Sequence, residues 1–129
     1  HAYPLALPQN ALTILLGTLV FLAGVGFDIA AMLAMARAKT NILPHRAAGN
    51  LVTSGPFRLS RNPIYLGNTL LIAGLGLLLG NLWLVLAAAV NALVVQEIAI
   101  KREERHLLHR FGPAFEAYAK TTPRWIFGI

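Results

Sequence analysis

The chain has 129 residues, 57% of them hydrophobic and only 12% charged, and the charges lie outside a few long apolar runs. That is the composition of a membrane protein, not of an ordinary soluble domain. Eleven Lys and Arg against five Asp and Glu give a formal charge of +6, but the basic residues flank the apolar runs like headgroup anchors, and no zinc-finger or RNP-like pattern points to nucleic acid.

Residues 1–10 carry two prolines and no Lys, Arg, Asp or Glu, and read as a short interfacial lead-in. The first residue is His1, so the chain reads as trimmed at its start. The opening apolar run is too long for a signal peptide and lacks a basic leader and a cleavage site. From Ala11 to Ala36 the only ionisable residue is Asp28. At ~1.5 Å per residue that run exceeds the ~30 Å hydrocarbon core and predicts one tilted spanning helix. Gly17, Gly24, Gly26 and Ala30 would let a neighbouring helix approach closely. Asp28 has two readings: a carboxylate lining a polar cavity or proton path, or a hydrated or hydrogen-bonded structural group near the interface, about two turns from Arg37. The second is favoured.

Between Arg37 and Asn62 the chain turns polar, with Arg37, Lys39, Arg46, Arg58 and Arg61, and Pro44, Gly49, Gly55 and Pro56 break any long helix. A loop of that length is functional or disordered, and Leu51, Val52 and Phe57 favour packing. The stretch Gly55 to Gly67 then reads as a helix entrance. Asn62 is a good N-cap type and Pro63 suits the first helical position. The free amides and positive dipole end, beside Arg58 and Arg61, would suit a carboxylate or phosphate. The simpler reading is a capped helix with basic membrane anchors.

Two further apolar runs, Ile64–Leu79 and Leu82–Ile100, are separated only by Gly80-Asn81 and predict a tight helical hairpin, with Gly76 and Gly80 as a small-xxx-small pair. Beyond Ile100 the helical period continues, with Leu93, Glu97, Ile100, Glu104, Leu108 and Phe111 on one stripe, so the third helix projects into water. It should end by Gly112-Pro113. Ala114 to Lys120 is a short amphipathic piece with Phe115 and Tyr118 three apart, and Pro123-Arg124-Trp125-Ile126 reads as an interfacial anchor.

Lys and Arg are absent before residue 37 and around Asn81, and concentrate in the loop and after residue 100. The positive-inside rule therefore puts three spans in place, with both basic segments in the cytoplasm. The entrance at Asn62 and the pair Glu103-Glu104 then meet at one membrane face. Paired glutamates on a helix are most often a solvated face. Glu104, however, shares its stripe with Leu108 and Phe111 and has no lysine or arginine at i+4 to draw it there. The chain contains no cysteine, and its four histidines lack HExxH-like spacing, so no metal site is expected.

Arg61-Asn62-Pro63-Ile64-Tyr65-Leu66-Gly67, a helical hairpin, then Glu103-Glu104, Leu107, Phe111-Gly112, Phe115, Tyr118 and Pro123-Arg124-Trp125 resemble, as an ordered set, the isoprenylcysteine carboxyl methyltransferase family and the related phospholipid N-methyltransferases. The likeness covers about residues 40 to 126. It implies a single all-α integral membrane domain over residues 1–129, with about three transmembrane helices and a cytosolic helical extension. It further implies an S-adenosylmethionine-dependent methyltransferase of a bacterial inner membrane. Its site would face the cytoplasm and its lipophilic or lipid-like acceptor would come from the membrane lipids. On this likeness Arg61 and Glu104 are catalytic, while Asn62, Pro63, Tyr65, Leu66, Gly67, Glu103, Glu104, Phe111 and Tyr118 hold the cofactor. The family commonly has arginine-histidine-proline where this chain has Arg61-Asn62-Pro63, and usually one more membrane helix before Ala11. This chain is then either trimmed or a minimal member that completes its wall as a homo-oligomer.

The residues themselves suit such a cofactor. Arginine and helix amides match its carboxylate, carboxylates match its ammonium and ribose hydroxyls, and Tyr65, Phe111, Phe115 or Trp125 match its aromatic and cationic parts. Two other readings stay open. One is a membrane sterol-type reductase using NADPH, which shares a similar entrance motif. The other is a non-catalytic scaffold or a small transporter using Asp28.

Overall fold

The structure, a computed structural model, describes residues 10–38, 51–127 and 129. Lys39, Pro44, Arg46 and Gly49 of the basic loop, and the lead-in before Asn10, lie outside the described residues. Within them the chain is built of helices. The first, α1 (Ala11–Arg37), starts where Asn10 and Thr13 cap each other. Asn10 Oδ1 accepts the Thr13 amide at 3.0 Å and the Asn10 amide donates to Thr13 Oγ1 at 2.9 Å. Its large apolar side chains, among them Leu12, Leu15, Leu19, Leu22 and Leu33, are exposed, as expected of a surface that meets lipid.

The second helix, α2 (Pro63–Leu78), runs antiparallel to α1, and glycine sets their separation. A Cβ on Gly17 would stand 2.8 Å from the Leu78 nitrogen, one on Gly24 2.7 Å from the Gly67 carbonyl oxygen, and one on Gly74 2.5 Å from the Phe21 nitrogen. These are backbone atoms that cannot step aside, so the seam exists only because those positions carry no side chain. Gly26 plays no part. Nothing lies within 4 Å of where its Cβ would be. Ala30 is half-buried, while Ala31 is fully buried.

Helix α2 ends in a Schellman turn: the Asn81 amide reaches back to the Gly76 carbonyl at 2.8 Å and the Gly80 amide to Leu77 at 3.2 Å, with Gly80 at φ +63°. Asn81 then caps α3 (Leu82–Val95) by accepting the Trp83 amide at 2.9 Å. Gly76 lets α3 close against α2, since a Cβ there would meet Val85 at 2.9 Å. The expected tight hairpin is present.

Helix α3 passes through a π turn (Gln96–Ile100) into α4 (Lys101–Phe111), making one continuous helix of 30 residues. That helix and α1, with 27 residues, are long and apolar enough to cross a membrane. The apolar part of the longer one ends at Ile100 and the charged part lies beyond it. Helix α2 has 16 residues, which at ~1.5 Å each falls short of a ~30 Å core. The π turn also corrects the expected stripe. An extra residue in the turn rotates everything after it by about 100° relative to what precedes it. Glu97 is therefore not in line with Glu104; it is exposed and pairs with Lys101 at 2.8 Å, whereas Ile100 is fully buried.

Gly112, at φ +52°, ends α4, and Pro113 starts α5 (Pro113–Thr121). Phe115 and Tyr118 are buried with their rings edge to face, centroids 6.4 Å apart. They hold α5 under the loop that carries the short 3-10 turn Gly55–Arg58. The chain that follows folds back onto the entrance of α2.

Candidate active site

The entrance of α2 is held by the tail rather than by its own side chains. Pro63 is the first helical residue, as expected, and is fully buried. Asn62 occupies the N-cap position, yet its side chain makes no capping bond. Its Nδ2 instead donates to the Arg124 carbonyl at 3.0 Å, and its amide to Ser60 Oγ at 3.1 Å. Ser60, with no exposed surface, donates its hydroxyl to the same Arg124 carbonyl at 3.2 Å, and the Arg61 amide donates to Pro123 at 2.9 Å. Arg124 and Trp125 are thus not a free interfacial anchor. Trp125 Nε1 donates to Gln96 Oε1 at 2.9 Å, which ties the tail to the π turn. Arg58 is exposed and outside this set.

Glu104 is fully paired, contrary to the expectation from its local sequence. Its Oε1 accepts Arg124 Nη2 at 2.7 Å and its Oε2 accepts Arg124 Nε at 2.8 Å, a bidentate pair, while Arg61 Nη1 approaches Oε2 at 3.3 Å. The bond to Glu104 raises the Arg124 guanidinium further above its ordinary value. The three side chains are between 17% and 28% exposed, so their mutual attraction is only partly screened. Two cations on one carboxylate leave a net positive cluster, and Arg61 Nε is buried with no hydrogen-bond partner among the described residues.

Glu103, one residue earlier, faces a different neighbour. Tyr65 donates its hydroxyl to Glu103 Oε1 at 2.7 Å. Burial pushes the Glu103 carboxyl above its ordinary value, against the lowering effects of the Tyr65 bond and of His106. One turn deeper in α2, Thr69 bonds the Tyr65 carbonyl at 2.9 Å and sits 3.5 Å from Asn91 Nδ2 of α3.

Of the remaining residues that the resemblance implies, Leu66 and Gly67 are buried in helix packing, and Gly67 gives its space to Gly24 and to the Asp28 carboxylate of α1. Tyr118 donates its hydroxyl to the Phe57 carbonyl at 2.6 Å, and burial pushes its phenol well above the ordinary value. It fastens α5 to the loop. Phe111 lies two turns beyond Glu104, with the Arg110 guanidinium 5.5 Å from its ring centre. Asp28 lies against Gly67 of α2, and its Oδ1 is buried without a hydrogen-bond partner among the described residues.

A cavity of about 480 Å³ opens beside the clasp, lined by Arg61, Gln96, Arg124, Ile129 and residues 119–123 of the tail. That is the size of a small-molecule pocket. Arg61, Lys120 and Arg124 line it, and Glu104 pairs with the two arginines only, so its polar end suits an anionic group. Ser60, Gln96 and Lys120 had no signal in the sequence, because each acts through a partner far along the chain or through the tail's return.

A profile of the family described as phospholipid methyltransferase matches residues 12–114. The chain is also similar to the nickel-cobalt-cadmium resistance protein NccN of Alcaligenes xylosoxydans xylosoxydans and to the cobalt-zinc-cadmium resistance protein CzcN of Cupriavidus metallidurans. Each is 38% identical over 78 residues, covering 60% of this chain and 36% of the relative. The chain thus matches little more than a third of the length of these curated relatives.

Proposed function

Since the chain belongs to the phospholipid methyltransferase family, we propose that it is an integral membrane methyltransferase that takes S-adenosylmethionine at the mouth of the α2–α3 hairpin and modifies a lipophilic acceptor. The observation that carries this reading is the Arg61–Glu104–Arg124 clasp beside a cavity of about 480 Å³. Arg61 and Arg124 both line that cavity and share a single carboxylate, Glu104, so one positive charge is left without a counter-charge in the clasp. The cofactor's carboxylate is a fitting counter-charge. S-adenosylmethionine supplies an activated methyl group; the chain supplies orientation and a half-buried, water-poor site. Asn62 and Ser60 hold the tail, and Gln96 with Trp125 holds it to the helix that carries both glutamates.

The basic loop and tail argue for the mouth facing the cytoplasm, with α2 completing a third, short span. Because α2, at 16 residues, is shorter than a ~30 Å hydrocarbon core, the acceptor enters laterally from the lipid. The names of the two relatives speak of metal resistance. Among the described residues no three His, Asp or Glu side chains gather as metal ligands, so the reading is built on the clasp.

The test is a radiolabelled methyl group. Purified protein, extracted membrane lipids and labelled S-adenosylmethionine should give label in the organic phase. Label confined to water-soluble small molecules contradicts the lipophilic acceptor.

A further inference from the structure

The π turn lines up two side chains that a regular helix would separate. Gln96 and Glu104 are eight positions apart in sequence, an offset of about 80° in an α-helix. The Gln96 carbonyl accepts the Lys101 amide, five residues on, and the extra residue adds length without rotation. The two side chains are thereby brought to within about 20° of one line, about 10 Å apart along the helix. Adjacent tail residues reach them both: Arg124 takes Glu104, and Trp125 takes Gln96.

Gln96 lines the cavity together with Arg61 and Arg124, and its partner fixes which way its amide faces. Trp125 Nε1 can only donate, so the oxygen of Gln96 faces it, at 2.9 Å. The Nε2 group is left as a donor. Glu97, the neighbouring carboxylate, draws on it only weakly, and both Glu97 oxygens are held by Lys101 at 2.8 Å. Of the other donors lining the cavity, Thr121 spends its hydroxyl on the Tyr118 carbonyl at 3.1 Å, and Lys120 carries a full charge. Gln96 therefore offers a neutral donor, apart from the cationic end made by the arginines.

That difference sorts the groups of the cofactor. Its carboxylate suits the arginines, and its ammonium and ribose hydroxyls are donors that suit carboxylates. The ring nitrogens of its adenine only accept, and a neutral amide N–H satisfies one of them without adding charge to a net positive site. Resting on the methyltransferase reading above, we propose that Gln96 is a specificity-determining residue for the cofactor, donating from Nε2 to a ring nitrogen of the adenine. Trp125 is the positioning residue that holds the amide in that orientation. The π turn is what carries the amide into line with the clasp.

The test is calorimetry on the detergent-purified full chain with S-adenosylhomocysteine and its deaza analogues at ring positions one, three and seven, each of which replaces one acceptor nitrogen by C–H. One analogue should bind the parent about tenfold more weakly than S-adenosylhomocysteine, because it leaves the Gln96 donor unpaired. Gln96→Met cannot donate, and Gln96→Glu cannot donate but still accepts from Trp125, so one of the two keeps the tail closed. In both, S-adenosylhomocysteine itself should bind about tenfold more weakly, and that analogue's deficit should vanish. Trp125→Phe keeps the donor and should lose less than about threefold. A parent that binds all four compounds alike overturns the proposal and leaves the methyltransferase reading intact. So does a deficit that persists in Gln96→Met and Gln96→Glu. Equal losses in Trp125→Phe and Gln96→Met, with the deficit unchanged in the latter, assign Gln96 to holding the tail alone and also overturn it. A parent that binds none of the four removes both.

Discussion

The α1–α2 seam and the hairpin mouth are joined by opposite means. In the seam, backbones touch through Gly17, Gly24, Gly67 and Gly74, and contact comes from the absence of side chains. At the mouth, long polar side chains from the entrance, α4 and the tail reach across to one another, and contact comes from charge and hydrogen bonds. Lipid gives helices no hydrophobic reason to associate, so close packing must do it there. At the mouth, partial burial makes ion pairs strong enough to specify geometry without fixing it rigidly. The seam is therefore the stable part and the mouth the adaptable part.

The largest effect expected from breaking this contrast is in the seam. Gly24→Leu should abolish a folded, monodisperse protein in detergent, since even its Cβ would lie 2.7 Å from the Gly67 carbonyl oxygen. Gly26→Ala, two residues on with open space around it, should leave the melting temperature unchanged or raise it, because alanine is the better helix former by up to ~1 kcal/mol. If both variants melt alike, glycine contact does not define the seam.

At the mouth, Glu104→Gln comes next. It removes the charge that joins Arg61 to Arg124, costing ~1.5–3 kcal/mol of stability in a partly screened site. S-adenosylmethionine affinity should drop about ten- to a hundredfold with it. A thermal melt and a titration separate the two effects. Trp125→Phe should cost ~1 kcal/mol, the worth of one hydrogen bond to Gln96, and should loosen the tail, read as faster amide exchange at residues 119–124. The smallest effect belongs to Glu97→Gln. Its pair with Lys101 is exposed, and its attraction for Arg124 is the least of the influences on it, so the melting temperature and cofactor binding should move less than in any of the other variants.

What was legible in the sequence follows the same division. Apolar length, the Gly80-Asn81 turn and the stop at Gly112-Pro113 are local signals, and the hairpin and α5 stand where those signals put them. Glycine spacing marked Gly17 and Gly24 but could not separate them from Gly26, because helix rotation depends on the partner. The mouth was legible only as an ordered motif. Glu104 looked unpaired because its arginines lie 20 and 43 residues away, beyond any helical rule. Asn62 looked like a cap because its competing partner, the Arg124 carbonyl, is 62 residues distant. The π turn had no sequence signal, and it alone moved Glu97 off the stripe.

The central claim, that the Arg61–Glu104–Arg124 mouth binds S-adenosylmethionine, is tested most directly by calorimetry on detergent-purified protein with S-adenosylmethionine and NADPH, repeated on Arg61→Ala. The account predicts saturable binding of S-adenosylmethionine by the parent, none of NADPH, and a loss of at least about tenfold in the variant. Equal affinity in parent and Arg61→Ala, or binding of NADPH in place of S-adenosylmethionine, would contradict it.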